Sequence, residues 1–169
     1  MSKTILLLVE DGFRDEEVIY PYYRFIEADF DVKVVGPEKN KEYKGKFGVG
    51  IKSTLAPEDV VINEIAAVII PGGYAPGKMR LNKLMVNIVK NAFSSSKIIA
   101  AICHGPQMLI EADIVRGKNV TSWKGVATDL KNAGGIYLDQ EVVVDGNLIT
   151  FRMPEDLPAF CRTAISLIK

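Results

Sequence analysis

Four short apolar runs, separated by segments of helical periodicity, constrain the fold of this chain more than any other feature. The runs are TILLLV (4–9), DVKVVG (31–36), IAAVII (65–70) and KIIAAI (97–102). Continuous apolar runs of this length are typical of parallel strands that are covered by helices on both faces. Their alternation with helical segments therefore predicts an α/β sandwich around a mostly parallel sheet.

The remaining segments fill in this architecture. Apolar residues at helical spacing and suitable end residues predict helices over 15–28, 82–93, 106–115, 125–133 and 155–168. Glycine-rich alternation over 43–54 and the Asp145-Gly146 turn within 141–150 predict two hairpins. The 169 residues contain no repeat and no linker, so we expect a single domain over 1–169.

Charge and cysteine content exclude several classes of function. Lys plus Arg and Asp plus Glu both number 21, so no basic excess points to nucleic acid or to a membrane surface. Two cysteines cannot form a disulfide framework, and neither lies in a metal-binding spacing. We therefore expect a cytoplasmic protein without metal or cofactor. The absence of net charge also leaves self-association open.

Three polar or glycine-rich stretches follow the ends of predicted parallel strands. They are EDGFRDEE after the run 4–9, PGGYAPG after 65–70 and CHGP after 97–102. Right-handed crossovers bring the carboxyl ends of parallel strands to one edge, and ligands bind in the crevice outside them. We expect the functional site to be built from these three stretches.

Cys103 is the main candidate for a nucleophile. A nucleophile elbow is a sharp strand-to-helix turn with small residues two positions before and after the nucleophile, and Ala101 and Gly105 occupy those positions. The helix that begins at Pro106 is expected to favour a thiolate at Cys103. The alternative is an inert cysteine of the core. His104, the only histidine, is either a base or orienting group for the thiol, or a structural turn residue.

Other residues of these stretches are weaker candidates. Backbone N–H groups of Gly72, Gly73 and His104 could form an oxyanion site, although an ordinary turn would have the same glycine sequence. Glu17 lies beside the apolar face of its helix, and this position predicts that its side chain points into the crevice.

Trp123 and Arg152 follow predicted strand segments and could line the crevice, with packing and a surface ion pair as the alternatives. Cys161 shares helical spacing with apolar residues, so we expect it in the core.

The motifs resemble those of the PfpI family of archaeal and bacterial intracellular proteases. This family belongs to the superfamily of the parkinsonism-associated deglycase and the class I glutamine amidotransferase-like domains. The resemblance extends over EEVIYPYYR, AVIIPGGYAPGKMRLN, AAICHGPQML, VTSWKGV, NAGG, VVVDGNLIT and RMPEDLPAF, in this order. It implies a flavodoxin-like three-layer sandwich and an obligate homodimer, in some members assembled into a hexamer.

The resemblance also implies roles for individual residues. The family's nucleophile corresponds to Cys103, its adjacent histidine to His104, and its buried glutamate, which hydrogen-bonds the cysteine, to Glu17. The sequence departs from the family where the proteases have a glutamate that completes a triad with the Cys–His pair of a neighbouring subunit, because this position is Gly77. The loss of this acid leaves His104 without its usual orienting group.

Three functions follow as hypotheses. The first is a PfpI-type cysteine-dependent hydrolase, an intracellular protease with weak or absent proteolysis. The second is a glyoxalase or deglycase acting on methylglyoxal or glyoxal adducts, and the third is a redox-stress sensor or chaperone in which Cys103 is oxidised. We further predict that Glu17 and Cys103 share one negative charge near neutral pH, held on the sulfur, with Glu17 protonated.

Overall fold

The computed structural model describes residues 3–169 and contains a six-stranded central sheet. The strands are β1 (Thr4–Leu8), β2 (Asp31–Val35), β3 (Glu42–Lys44), β4 (Gly50–Lys52), β5 (Ile65–Ile70), β6 (Ile98–Ile102), β7 (Asn119–Val120), β8 (Ile136–Tyr137), β9 (Val143–Asp145) and β10 (Leu148–Phe151). The central sheet has the order β2-β1-β5-β6-β10-β9, in which only the edge strand β9 is antiparallel to its neighbour. The predicted mostly parallel sheet is therefore confirmed.

Helices cover both faces of this sheet. They are α1 (Asp15–Glu27), α2 (Ala75–Met79), α3 (Lys83–Ser94), α4 (Pro106–Glu111), α5 (Ala127–Asn132) and α6 (Leu157–Ile168). Helices α1 and α6 pack together on one face, and α3 and α4 pack together on the other. The apolar side chains of β1, β5 and β6 between them are almost completely buried, and this double burial is why those strands are apolar throughout.

Several predicted boundaries differ from the structure for local reasons. The predicted helix 106–115 ends at Glu111, because Asp113 adopts a left-handed φ of 54°. The predicted helix 125–133 begins with a 3₁₀ turn at Lys124–Val126, and only then continues as α5. Both predicted hairpins form, the first as β3 and β4 and the second as β9 and β10.

Helix α2 and the small parallel pair β7–β8 were not predicted. Helix α2 lies within the glycine- and proline-rich stretch that follows β5, where sequence composition favours a loop. Among residues 3–169, no helix is both long and apolar enough to cross a membrane.

Candidate active site

Cys103 occupies a strained turn between β6 and α4. Its φ is 61°, in the left-handed region that non-glycine residues seldom adopt, and its side chain is 8% exposed. Its N–H donates to the Phe151 carbonyl at 3.0 Å, which ties the turn to β10. Gly105 makes the turn possible, because a Cβ there would lie 2.5 Å from the carbonyl oxygen of Ile70. The chain therefore has the backbone of a nucleophile elbow at this position.

The imidazole of His104 lies beside the sulfur of Cys103 within the same chain. The distance from Sγ to Nδ1 is 3.3 Å, so the sharp turn overcomes the tendency of adjacent side chains to point apart. Burial, and then the positive charge of Lys46, lower the pKa of His104. A neutral imidazole at this distance can accept the thiol proton. Among the described residues, no carboxylate forms an ion pair or hydrogen bond with this imidazole.

Glu17 extends from the first turn of α1 to the floor of the site and is fully buried. Its Oε2 accepts a hydrogen bond of 2.6 Å from the N–H of Gly72. Its Oε1 is also buried and has no nitrogen or oxygen partner in the part of the chain that the structure describes. A Cβ at position 72 would lie 2.7 Å from both the Cys103 Cβ and Glu17 Oε2, so glycine allows the thiol and the carboxyl to meet.

The electrostatics of this pair agree with one prediction and correct another. Burial raises the pKa of Glu17 to about 7, although the Gly72 N–H and the Cys103 thiol oppose the shift. Burial, followed by repulsion from the Glu17 carboxylate, raises the pKa of the Cys103 thiol to about 12. Two raised pKa values mean that the pair holds at most one negative charge near neutral pH, as expected.

The raised pKa of Glu17 has the predicted direction, whereas the pKa of the Cys103 thiol is raised and not lowered as predicted. The prediction relied on the helix after Cys103 to stabilise a thiolate. Helix α4 has only six residues, so few peptide dipoles add up at its start. Burial of the thiol and the nearby carboxylate outweigh this small effect.

Two of the three predicted backbone donors, Gly73 and His104, have their N–H groups near the sulfur. The N–H of Gly72 is occupied by Glu17, so Gly72 positions the carboxyl and is not an oxyanion donor. The N–H groups of Gly73 and His104 lie near the sulfur and act to lower the pKa of the Cys103 thiol. Gly73 has a φ of 75°, and a Cβ there would lie 2.4 Å from the backbone nitrogen of Arg14. This close approach explains why the second residue of the Gly72-Gly73 pair is also a glycine.

A cavity of about 230 Å³ opens onto these groups. The cavity is lined by Cys103, His104, Glu17, Gly73 and Trp123. Trp123 is one of the two residues that the sequence suggested for the wall of the crevice. The remaining lining residues are Arg14, Lys46 and Pro154, which the sequence analysis did not select. Arg14 belongs to the stretch EDGFRDEE, so its position in the sequence could have indicated a place in the site. Lys46 lies in the loop between β3 and β4, outside all three of the stretches that follow strand ends.

Arg152 does not line this cavity and instead forms ion pairs, which is the alternative that the sequence suggested for it. Its Nε and NH2 donate to the two carboxylate oxygens of Asp156 at 3.0 and 3.2 Å, and its NH1 donates to Asp139. This paired geometry holds the guanidinium away from the thiol. Cys161 is fully buried in α6, which confirms its predicted place in the core.

Comparison with known proteins shows which family the chain belongs to. The model of the DJ-1/PfpI family matches residues 3–167. The chain is 44% identical to deglycase PYRAB04690 of Pyrococcus abyssi, over 98% of this chain and 99% of the relative. It is 40% identical to YraA of Bacillus subtilis, a candidate cysteine protease by its name, over the whole of both chains.

A solved structure from Anabaena variabilis has the same fold. This protein contains DJ-1/ThiJ/PfpI-like and ferritin-like domains, and it superposes with a TM-score of 0.97 at 42% identity. The superposition covers 99% of the present chain and 48% of the Anabaena chain, so the present chain spans about half of that protein. By the family match and by its relatives, the chain belongs to the DJ-1/PfpI family.

Proposed function

We propose that this protein is a cysteine-dependent enzyme that acts on small reactive carbonyl compounds, of the glyoxalase or deglycase type. The observation that carries this proposal is the position of the Cys103 sulfur. It lies 3.3 Å from a neutral imidazole, next to the N–H groups of Gly73 and His104, at the wall of a small cavity. Nucleophile, proton acceptor and oxyanion donors are the groups that addition to a carbonyl requires.

The first step is the addition of the thiol to the carbonyl carbon. As the bond from Sγ to carbon forms, the thiol proton passes to Nδ1 of His104, and the electron pair of the C=O bond moves to oxygen. The N–H groups of Gly73 and His104 are placed to donate to that oxygen. Because burial raises the pKa of the Cys103 thiol, we expect this proton transfer to be coupled to the attack and not to precede it.

An adduct of an α-oxoaldehyde and an amine first releases the amine, as the proton of its hydroxyl group passes to nitrogen, the bond from carbon to nitrogen breaks and the aldehyde C=O bond forms. After the thiol has added to the aldehyde carbon, the hydrogen on that carbon moves, as a proton by way of His104, to the neighbouring carbonyl carbon, so that the first carbon is oxidised to a thioester while its neighbour is reduced to an alcohol. Water then cleaves the bond from carbon to sulfur, which gives the acid and returns a proton to the thiol. Each turnover consumes one water and gives one amine and one 2-hydroxy acid, and with free methylglyoxal the product is lactate. The cavity of about 230 Å³ suits a substrate of this size. The name of the Pyrococcus relative, a deglycase, supports the same assignment.

A peptidase is the second candidate, favoured by the name of the Bacillus relative. The same thiol would attack a peptide carbonyl, and His104 would return the proton to the leaving amine. An amide is a poorer electrophile than an aldehyde and depends more on a well-oriented histidine. With Gly77 in place of the family's glutamate, we expect proteolysis to be weak.

The two candidates are separated by assaying one preparation for both activities. Lactate formed from methylglyoxal and the cleavage of a fluorogenic peptide are measured side by side, with protein alkylated at its thiols as the blank. We expect lactate formation above the blank and little peptide cleavage. Vigorous peptide cleavage without lactate formation would show that the peptidase assignment is the correct one.

We further propose that the protein is a homodimer formed through a groove between α1 and α6. This groove has a volume of about 950 Å³ and includes Tyr20, Tyr23 and Ile26, all of which are exposed in the single chain. Its rim carries acidic groups and Arg24, so a second copy would meet charges of both signs. Pro154 lines both the groove and the cavity of Cys103, and a second copy would therefore close one side of the site.

The mass of the protein in solution tests this assembly. Sedimentation should give a dimer, or a multiple of it such as a hexamer, and Tyr23→Glu should dissociate the pair. Leu81→Glu is the matched control, because Leu81 is 82% exposed and lies outside the groove. A monomeric parent protein would contradict the proposal. For its location we propose the cytoplasm, where the two free thiols would remain reduced.

A further inference from the structure

The mouth of the Cys103 cavity carries two cations, of which only one is neutralised. The Nε of Arg14 lies 2.8 Å from the Glu16 carboxylate, which compensates its charge. The Lys46 ammonium, which also lines the cavity, has no carboxylate within ion-pair distance among residues 3–169. It lies 4.5 Å from the centre of the Tyr74 ring, with the ring of Phe47 next to it. A positive charge without a carboxylate partner therefore lies at the mouth of this cavity.

The loop that carries Lys46 is fixed against the start of α1. The Asp15 carboxylate accepts hydrogen bonds of 2.8 Å from the N–H groups of both Phe47 and Val49. The N–H of Lys46 donates to the Phe13 carbonyl at 2.7 Å. Asp15 is 6% exposed, so these bonds are shielded from water.

Gly45 allows this close docking, because a Cβ there would lie 2.5 Å from the Asp15 carboxylate. Helix α1 also carries Glu17, so the loop and the floor of the site are attached to one rigid element. The backbone of Lys46 is therefore held in place before any substrate binds, which lowers the entropic cost of using its charge.

We propose that Lys46 selects carbonyl substrates that carry a carboxylate close to the reacting carbon. The proposal rests on the carbonyl chemistry assigned to Cys103 above and names its substrate class. In so small a cavity, a substrate bound at Cys103 has its neighbouring substituent within reach of the Lys46 ammonium. The chemical class is a small α-oxoaldehyde adduct of an amino acid or thiol acid, with its carboxylate free.

A second effect of the same charge supports this role. Lys46 contributes to the lowered pKa of His104, and it thereby favours the neutral imidazole that accepts the thiol proton. When a substrate carboxylate pairs with Lys46, the lysine charge is balanced and His104 becomes easier to protonate. A carboxylate substrate would then assist the proton transfer that its own attack requires.

Alkylation of Cys103 tests the electrostatic part without any turnover. Iodoacetate and iodoacetamide differ in one negative charge, and the ratio of their rates at Cys103, followed by peptide mass, reports how the site treats an anion. We expect Lys46→Met to lower the ratio of iodoacetate to iodoacetamide rates by about two- to fivefold, the effect of one partly solvated ion pair. Lys46→Arg should preserve the ratio.

Lys44→Met is the matched control, because Lys44 is exposed in the same hairpin and does not line the cavity. Its ratio should equal that of the parent protein, and added salt should reduce the ratio in the parent but not in Lys46→Met. A ratio unchanged in Lys46→Met would overturn the proposal. Equal slowing of both reagents would do so as well, since it would show that Lys46 acts only through the thiol.

Turnover then tests the substrate class. The methylglyoxal hemithioacetals of N-acetylcysteine and of N-acetylcysteine amide differ only in the carboxylate, and kcat/KM is measured for both. We expect a preference for the carboxylate form that disappears in Lys46→Met. Equal rates in the parent protein would refute the selection by Lys46 but leave the carbonyl chemistry standing. No turnover of either adduct would refute the proposed function, and with it this substrate class.

Discussion

Replacement of Glu17 by glutamine should stabilise the protein, and the gain should depend on pH. The carboxyl of Glu17 has a pKa of about 7 in the folded protein, against an ordinary value of 4.5, and burial is the main cause. Below pH 4.5 both the folded and the unfolded chain hold the proton, so the folded protein buries no charge at Glu17. Between pH 4.5 and about 7 only the unfolded chain loses it, so the free energy of unfolding falls as the pH rises.

The magnitude follows from the shift. Each pKa unit corresponds to about 1.4 kcal/mol, so the full shift costs the folded protein up to roughly 3 kcal/mol above neutrality. Glutamine has nearly the same shape, keeps an oxygen to accept from the Gly72 N–H, and carries no charge to bury. We therefore expect Glu17→Gln to be more stable than the parent by as much as ~3 kcal/mol near pH 8, and equally stable near pH 4.

Urea unfolding at several pH values measures this difference directly. Glu16→Gln is the matched control, because Glu16 is exposed and its hydrogen bond with Arg14 lowers the pKa of its carboxyl. This control should gain nothing at alkaline pH. A gain in Glu17→Gln that is the same at acid and alkaline pH, or a loss at alkaline pH, would refute the assignment of a costly buried charge at Glu17.

Three further predictions concern the reactive thiol. Replacing Glu17 with glutamine or with leucine removes the carboxylate that helps to raise the pKa of Cys103. The midpoint of thiolate absorbance against pH should therefore fall from about 12 towards 9.0. An unchanged midpoint would contradict the effect of Glu17 on the thiol. Gly77→Glu should raise the rate of peptide cleavage by roughly tenfold or more over Gly77→Gln, because a carboxylate there would orient the histidine. The side chain has room, since no atom lies within 4 Å of a Cβ at that position. Equal rates in the two variants would show that the orientation of the histidine does not limit proteolysis. Mild peroxide should oxidise Cys103, which is 8% exposed, before Cys161, which is fully buried; equal oxidation by mass spectrometry would exclude a sensor function for Cys103.

Much of the fold could be predicted because its signals are local. The run 65–70 is apolar throughout and stops at Pro71, and it forms β5 over the same residues. The elbow was also predictable, because Ala101 and Gly105 mark it within five residues of sequence. Helix α4 was predicted too long, since the left-handed turn at Asp113 has no glycine to announce it.

The parts of the site that sequence could not show depend on contacts between distant residues. By its position in the sequence Asp15 is only an acid at the start of a helix, but its carboxylate holds the loop at Phe47 and Val49. That contact, more than thirty residues away in sequence, is what brings Lys46 to the cavity.

The protonation of Cys103 could not be predicted for a related reason. It depends on the balance between a short helix, the depth of burial and a carboxylate from α1, and only the assembled structure gives their relative sizes.

The activity of two single-cysteine variants tests whether the thiol of Cys103, on its strained elbow beside His104, is the nucleophile. Lactate formation from methylglyoxal is measured for Cys103→Ser and for Cys161→Ser, which changes the other free thiol away from the cavity. We expect Cys103→Ser to lose activity to the level of the blank, whereas Cys161→Ser, once shown to be folded, should retain it. Undiminished lactate formation in a folded Cys103→Ser would show that Cys103 is not the nucleophile.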